Sequence, residues 1–480
     1  MRRTSLVVVV FFFLFAACRA NAQNLCADSI SGTLVCKVTE VYGPTGLVLP
    51  AGVGPPALVG SFNGNNLSSL NTAIATQSVL LSLASPAAGI NYVYDPTTQI
   101  FAPSTDSFGP IFGERAETIG RHRFFVGESY QYFNFGNLDG TNLKHLPQVF
   151  TQPDTPLSDG SDRICSTTGD SVGGCSFIRD IVTVDTRVDL KVHQAVFFLT
   201  YGVTNKFDVS MAIPAQSVRF AVTSNATIVD NSGSGTHSFA LRSDCGSEFL
   251  NQNCTNQSFH DAGGNSGIGD LVFRAKWRVF TGEHAAIAVG GDVRAPTGDS
   301  VNFLGSGAWG FRPFMVWSYR GLFTRLSPHL GGGYQFNGNS KLVGDLSKAS
   351  EERLPRQFTY SAGVDAWLTK RLTVAFDFVG QTVFNTQRLT PTSFTALGAC
   401  VYNTGFKYPD CNPPDASFAP SKIYPNVAQS TANVNVLNAA LGVKLKIVSK
   451  LLFTGNVTFK INDDGLRANV VPMGELSYTF

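Results

Sequence analysis

IVTVDTRVDLKVHQAVFFLTYGVTNKFDVSMAIP, residues 181–214, is the stretch that decides the fold of this chain. In its first half Val or Leu alternates with Thr, Asp, Arg, Lys and His, and a side-chain period of two indicates a β-strand with one apolar and one charged face. The chain then turns at residues 203–206 and returns with the same alternation, which predicts a long hairpin. Soluble sheets use strands of about five or six residues, so these longer arms are typical of a membrane-spanning β-barrel.

Similar strand-like runs follow one another to the C-terminus. The predicted strands are residues 123–135, 181–202, 207–222, 269–280, 285–295, 308–319, 322–336, 357–368, 371–384, 433–448, 451–462 and 469–480. Several connections are short, such as residues 369–370, and others are long, such as residues 136–180, as in barrels with short periplasmic turns and long outer loops. We therefore expect an all-β fold, an antiparallel transmembrane β-barrel of about 12 strands (roughly 10 to 14 possible), with both ends on the periplasmic side.

The N-terminal residues predict export. Arg2 and Arg3 precede an apolar run at residues 5–17, and Ala20, Asn21 and Ala22 supply a small-x-small cleavage site, so residues 1–22 are interpreted as a signal peptide. Together with the predicted barrel, this export signal predicts a location in the outer membrane of a Gram-negative type of cell. Its formal charge of +2 gives no indication of nucleic-acid binding.

Residues 23–120 are less periodic than the barrel of residues 121–480. Residues 66–84 predict one helix, and residues 90–101 predict a small hairpin. This N-terminal segment could plug the barrel or extend into the periplasm, and the sequence leaves both arrangements open.

The cysteines predict small disulfide-closed loops. Cys18 leaves with the signal peptide, and the eight that remain lie in neighbouring pairs on an exported chain, which favours local bridges. No pair has the two-residue spacing of a zinc site, so neither a metal nor a cofactor is expected. The predicted pairs are Cys26 with Cys36, Cys165 with Cys175, Cys245 with Cys254, and Cys400 with Cys411.

The polar face of each strand is expected to line the lumen. A charge facing lipid near the bilayer midplane costs about 2 to 4 kcal/mol, so the apolar face is assigned to lipid. The lumen charges are interpreted either as a selective constriction or as a solvated wall of paired charges. The candidate pore-lining residues are Asp185, Arg187, Asp189, Lys191, His193, Arg274, Lys276 and Arg278.

Two further features concern the barrel wall and its assembly. Pro214 lies within the third strand and cannot donate to a ladder, which predicts a bulge or an interruption. That kink would either open a side window or be a harmless bulge near a rim. The alternating C-terminus, with Tyr478 and Phe480, is typical of a signal read by the barrel-assembly machinery.

The seven histidines are scattered outside any Ser or Cys nucleophile motif, so an enzyme is not expected.

Several motifs resemble the outer-membrane proteins associated with the meta-cleavage pathway of phenol degradation. They are LTYGVTNKFDVSMAIP (residues 199–214), GIGDLVFRAKW (267–277), RAPTGD (294–299) and, upstream, DSFGPIFGERAETIG (106–120). In architecture that family resembles outer-membrane transporters of fatty acids and aromatic hydrocarbons. The resemblance implies a channel for uptake of small hydrophobic or aromatic compounds, with outer-membrane lipid, the assembly machinery and such a solute as partners. The alternative is a surface-structural or binding barrel that acts through its disulfide-bridged outer loops.

Overall fold

The computed structural model describes residues 26–43, 47, 67–78, 92–95, 100–103, 113–151, 181–229, 239, 255–323, 325–396, 400–402, 416–418, 421–448 and 450–480. Its main element is an antiparallel barrel of twelve strands. In chain order they are β1 Phe124–Leu138, β2 Ile181–Gly202, β3 Phe207–Val229, β4 Leu271–Thr281, β5 Ala285–Ala295, β6 Gly310–Tyr319, β7 Leu326–Asn337, β8 Gln357–Thr369, β9 Leu372–Ala396, β10 Lys422–Val448, β11 Leu451–Lys460 and β12 Val470–Thr479.

The barrel closes on itself. Each strand pairs with the next in the chain, and β12 pairs with β1 through a register that includes Glu475 opposite Ser129. Next to the closure, the Phe480 N–H donates to the Phe124 carbonyl oxygen at 2.8 Å. Closure removes the free sheet edges that an open sheet would expose to lipid. The predicted transmembrane barrel and its strand number are therefore confirmed, and a strand at Asn256–Ile268 extends the sheet beside the far half of β3.

The strands differ greatly in length. The 22 residues of β2 reach about 70 Å, more than twice the roughly 30 Å hydrocarbon core, whereas β4 to β6 have 10 or 11 residues. Only one end of β2 can therefore lie in lipid. Phe197 and Leu199, which are 45% and 41% exposed, mark that end on the outer surface. Further along the same face, His193 accepts or donates a hydrogen bond with the Tyr130 hydroxyl at 2.7 Å, in an aromatic group typical of a membrane interface.

The burial pattern of β2 shows that one part of the predicted lumen face was wrong. Val182, Val184 and Leu190 are buried against the interior, and no register shift separates them from the membrane-level residues. The opposite face therefore points outward along the whole strand. The interior is apolar here because the N-terminal segment fills it, and the outside is polar because it stands above the membrane. The residues wrongly assigned to the lumen are Asp185, Arg187, Asp189, Lys191 and His193.

The described parts of the N-terminal segment pack against this apolar inner face. Cys26 and Cys36 form a disulfide, as predicted, and the helix α1 spans Leu67–Ser78 within the predicted range. A hairpin pairs Tyr92–Asp95 with Ile100–Pro103, also as predicted. Leu34, Val35, Leu70 and Ile74 share one buried core with the inward side chains of β2 and β3. Among the described residues, no helix is long and apolar enough to cross a membrane.

Candidate functional site

The lumen-facing side of β4 carries three basic residues that the sequence placed there. Lys276 and Arg278 are 3% and 2% exposed, whereas the alternating Phe273 and Trp277 are exposed on the outer surface. Arg274 faces the same side as Lys276 and is also mostly buried. A buried charge is costly unless it is paired, so each of these residues needs a partner inside the barrel.

The partners come from a segment immediately before β1. Residues 113–120, here called the inner segment, lie almost entirely buried within the barrel. The Arg274 guanidinium donates to the Glu114 carboxylate at 2.6 Å, and the Lys276 ammonium lies 3.3 Å from the same carboxylate. Lys276 also donates to the Glu117 carbonyl oxygen at 2.8 Å. The inner segment is thus fixed to the β4 wall by both side-chain and backbone contacts.

The inner segment is held by other strands as well. Arg115 forms an ion pair with Asp365 on β8, and the Ile119 N–H donates to Asp208 on β3 at 3.0 Å. Glu117 accepts a hydrogen bond from the Ser318 hydroxyl on β6 at 2.9 Å. The segment therefore crosses the lumen and is attached to strands on several sides of it.

Two further groups of charges support this arrangement. Asp292 on β5 accepts from Arg274 at 2.6 Å and from Arg312 at 2.9 Å, so one carboxylate serves two guanidinium groups. His329 on β7 is hydrogen-bonded to Asp377 on β9 at 2.8 Å. These contacts show paired charges on the lumen wall rather than a ring of free charges.

Away from the inner segment, the residues that follow Cys26 contact the outer part of the barrel. The Leu34 N–H donates to the Asn302 side chain at 3.2 Å, and Lys37 pairs with Asp261 at 2.9 Å. The Tyr42 ring makes edge contacts with Phe150 and Phe259, at centroid distances of 5.4 and 4.9 Å. The described parts of the N-terminal segment thus contact the inner wall at two levels.

Pro214 lies where the wall between β3 and β4 is irregular. β3 itself continues through Pro214, which stays in register with Val196 on β2. On the other side, Ala212 pairs with Val272 and Ala215 with Ile268. Between these pairs, two residues of β3 (213–214) lie opposite three residues (269–271) of the neighbouring segment. An excess of one residue on one side of a ladder is a β-bulge, here in the segment that leads into β4.

Gly269 is the residue that closes this irregular site. Its N–H donates to the Pro214 carbonyl oxygen at 2.7 Å, and a Cβ built on it would lie 2.9 Å from the Leu304 carbonyl oxygen. The next residue, Asp270, accepts from the Ser306 N–H at 2.7 Å and from the Gly298 N–H at 3.1 Å. The motifs GIGDLVFRAKW and RAPTGD, separate in the sequence, therefore meet at the wall beside Pro214.

Sequence reasoning missed most of the residues that pair inside the lumen. The only signal was the upstream motif at residues 106–120, which contains the acidic and basic residues of the inner segment. Within the described part of the chain, the one group of three potential metal ligands is Cys26, Cys36 and Glu40, and both of its sulfurs are already used in the disulfide. The missed lumen residues are Glu114, Arg115, Glu117, Asp292, Arg312, His329, Asp365, Lys444 and Glu475.

The sequence matches a family model over residues 179–393, described as "Putative MetA-pathway of phenol degradation". This match confirms the resemblance predicted from the motifs in that range. No curated protein matches the chain. Among solved structures, the chain is similar to the COG4313 outer membrane channel from Pseudomonas putida F1, at 11% identity and a TM-score of 0.41, over 76% of this chain and 98% of that one.

Two other solved structures are similar at lower scores. A Pseudomonas aeruginosa FadL homologue has 10% identity and a TM-score of 0.29, over 75% of this chain and 90% of that one. The Ralstonia pickettii toluene transporter TbuX has 11% identity and a TM-score of 0.25, over 75% of this chain and 89% of that one.

Proposed function

We propose that this chain, whose barrel matches the phenol-degradation family over residues 179–393, is an outer-membrane channel for uptake of small hydrophobic or aromatic compounds. The family description supports a link to aromatic degradation. The signal peptide of residues 1–22, which lies outside the described residues, belongs to the same proposal.

The closed lumen supports a selective path rather than an open pore. The inner segment and the residues after Cys26 both occupy the barrel, and their contacts include buried ion pairs. A broad water-filled pore needs an unobstructed lumen. An apolar solute, in contrast, can leave through the wall into lipid, which costs it no desolvation of charge.

The observation that carries the proposal is the irregular wall at Pro214. There the β3–β4 ladder is interrupted for two residues of β3, and the gap is closed by Gly269, Asp270 and the backbone of Leu304. Ala212 and Val272 flank it and are in contact with one apolar cluster inside the barrel. We infer that a solute passes sideways at this point when the segment around residues 297–306 moves.

The test is solute flux into liposomes. The variant Pro214→Val restores an N–H donor and favours a regular ladder, so uptake of toluene should fall while folding, judged by heat-modifiable migration, is unchanged. Pro328→Val is the matched control, because Pro328 lies inside β7 where the register with β8 is uninterrupted. Equal toluene uptake by wild type and Pro214→Val would contradict the sideways path, and no uptake by any variant would contradict the channel itself.

A further inference from the structure

Two rows of aromatic side chains on the outer surface mark the borders of the membrane beside β1 and β2. Near the short turn at residues 203–206, Phe124 packs on Tyr201 at a centroid distance of 4.6 Å. Towards the other end of the strands, Tyr132 packs on His193 at 4.8 Å. From Phe124 to Tyr132, β1 rises about 27 Å, which is roughly 20 Å along the axis of a barrel whose strands tilt by about 40°. Aromatic rows at this separation border the apolar band of a barrel, so residues beyond Tyr132 and His193 stand at the level of the lipid head groups.

Two basic side chains lie directly opposite each other at this level. Lys191 on β2 is the ladder partner of Arg219 on β3, and both side chains are exposed on the outer surface. Like charges on directly opposite residues destabilise a sheet, because their Cβ atoms are only about 5 Å apart. An anion bound between the two side chains removes this repulsion and accepts charge-assisted hydrogen bonds from both.

The residues beside this pair add a hydrogen-bond donor and no negative charge. The same row of the sheet continues from Lys191 to Asn134 on β1 and from Arg219 to Gly264. Asn134, Lys191 and Arg219 are here called the basic row. The acidic residue two positions farther along β2, Asp189, accepts hydrogen bonds from the Arg187 guanidinium at 2.8 and 3.4 Å. The basic row thus keeps a local excess of positive charge.

The outer surface is apolar and recessed two rows nearer the middle of the membrane. Ala195 on β2 lies opposite Ala215 on β3. Tyr130 and Ile268 lie on either side of the two alanines, and their side chains are 49% and 58% exposed. Two small side chains between two large ones leave a shallow apolar depression below the basic row. An acyl chain that descends from the basic row has the shape and polarity to fill it.

We propose that the basic row binds a phosphate group of lipid A, the glycolipid anchor of lipopolysaccharide, with one acyl chain lying over Ala195 and Ala215. The basic row lies towards the long connections, which face the cell surface in the predicted topology, and lipid A occupies that leaflet of the outer membrane. Its phosphates stand at the head-group level, and its acyl chains enter the hydrocarbon. Arg219 supplies a planar fork for phosphate oxygens and Lys191 a point charge. The site goes beyond solute uptake, because its ligand is a lipid of the surrounding membrane.

Native mass spectrometry of the full chain in detergent measures binding as a defined mass increase. The probes are lipid A with both phosphates, lipid A from which the phosphates have been removed, phosphatidylglycerol and inorganic phosphate. Wild type should bind the phosphorylated lipid A at least about tenfold more tightly than the dephosphorylated form. Equal affinity for the two forms would overturn the phosphate site. Phosphatidylglycerol or inorganic phosphate that binds as tightly as lipid A would overturn the assignment of the ligand.

Variants test the two charges. Lys191→Gln with Arg219→Gln should weaken lipid A binding about tenfold or more. Heat-modifiable migration should stay the same, because both side chains are exposed and repel each other. Lys191→Gln alone is the second variant if the double variant does not fold, and it should weaken binding in the same direction.

Lys370→Gln with Arg371→Gln is the matched control. These exposed residues lie in the short turn between β8 and β9, so the variant loses the same two charges at the opposite end of the barrel. Its affinity for lipid A should equal that of wild type. Unchanged binding in the Lys191 and Arg219 variants, or an equal loss in the control, would contradict the proposal.

Discussion

Glu114 and Arg274 are 160 positions apart in the chain, yet the Arg274 guanidinium donates to the Glu114 carboxylate at 2.6 Å inside the barrel. Both side chains are nearly buried, at 11% and 10% exposure. The contact joins the segment that precedes the barrel to the wall of the barrel. It therefore holds the inner segment against the lumen wall.

The first prediction concerns this contact. Glu114→Gln removes the charge that pairs with Arg274 and Lys276, and loss of one partner of a buried pair costs about 3 to 5 kcal/mol. The inner segment should leave the lumen more often, so single channels in planar bilayers should show a higher open probability or conductance than wild type.

Asp345→Asn is the control for that experiment. Asp345 forms an ion pair with Lys348 at 2.8 Å on an exposed loop, and exposed pairs contribute little. Its conductance should equal that of wild type. Wild-type conductance in Glu114→Gln, with the variant correctly folded, would show that the inner segment does not control passage through the lumen.

The second prediction concerns the bridge between Cys26 and Cys36. A disulfide that closes about ten residues stabilises a fold by roughly 3 kcal/mol in the loop-entropy model. The double variant Cys26→Ser and Cys36→Ser should therefore lower the stability of the part of the N-terminal segment that follows Cys26. Limited proteolysis should cleave the residues around Leu34 faster than in wild type, while heat-modifiable migration of the barrel stays the same.

Three more disulfide bridges are expected between cysteines whose side chains the structure does not describe. Non-reducing peptide mapping should join Cys165 to Cys175, Cys245 to Cys254, and Cys400 to Cys411. Long-range pairing, or free thiols in an outer-membrane preparation, would contradict the local pairing.

The third prediction concerns assembly. Deletion of Phe480 removes the terminal aromatic, whose ring packs on Tyr478 at 4.7 Å, together with the hydrogen bond to Phe124. We expect less folded protein in the outer membrane. Phe480→Tyr keeps the aromatic ring and the backbone N–H, so its yield should match wild type. Equal yields for the deletion and wild type would argue against a role of Phe480 in assembly.

The strand pattern was predictable from sequence because it depends on local alternation. β2 and β5 have the predicted bounds, Ile181–Gly202 and Ala285–Ala295, and the remaining barrel strands overlap their predicted ranges. Within these twelve strands the errors were in length, and the additional strand Asn256–Ile268 was not predicted. β9 extends to Ala396 and β10 begins at Lys422 because the two strands pair with each other far beyond the membrane. The sequence of either strand alone does not reveal this pairing.

The sequence by itself determined the closed antiparallel barrel and the basic lumen face of β4, since both follow from residue type and a period of two. Only the tertiary structure decided what each face meets. Asp185 and Lys276 look alike in their strands, but Asp185 stands in water above the membrane and Lys276 is buried beside Glu114. A period of two separates the faces of a strand without telling which is inside. That depends on strand height and on whether water, lipid or another part of the chain fills the space beside it.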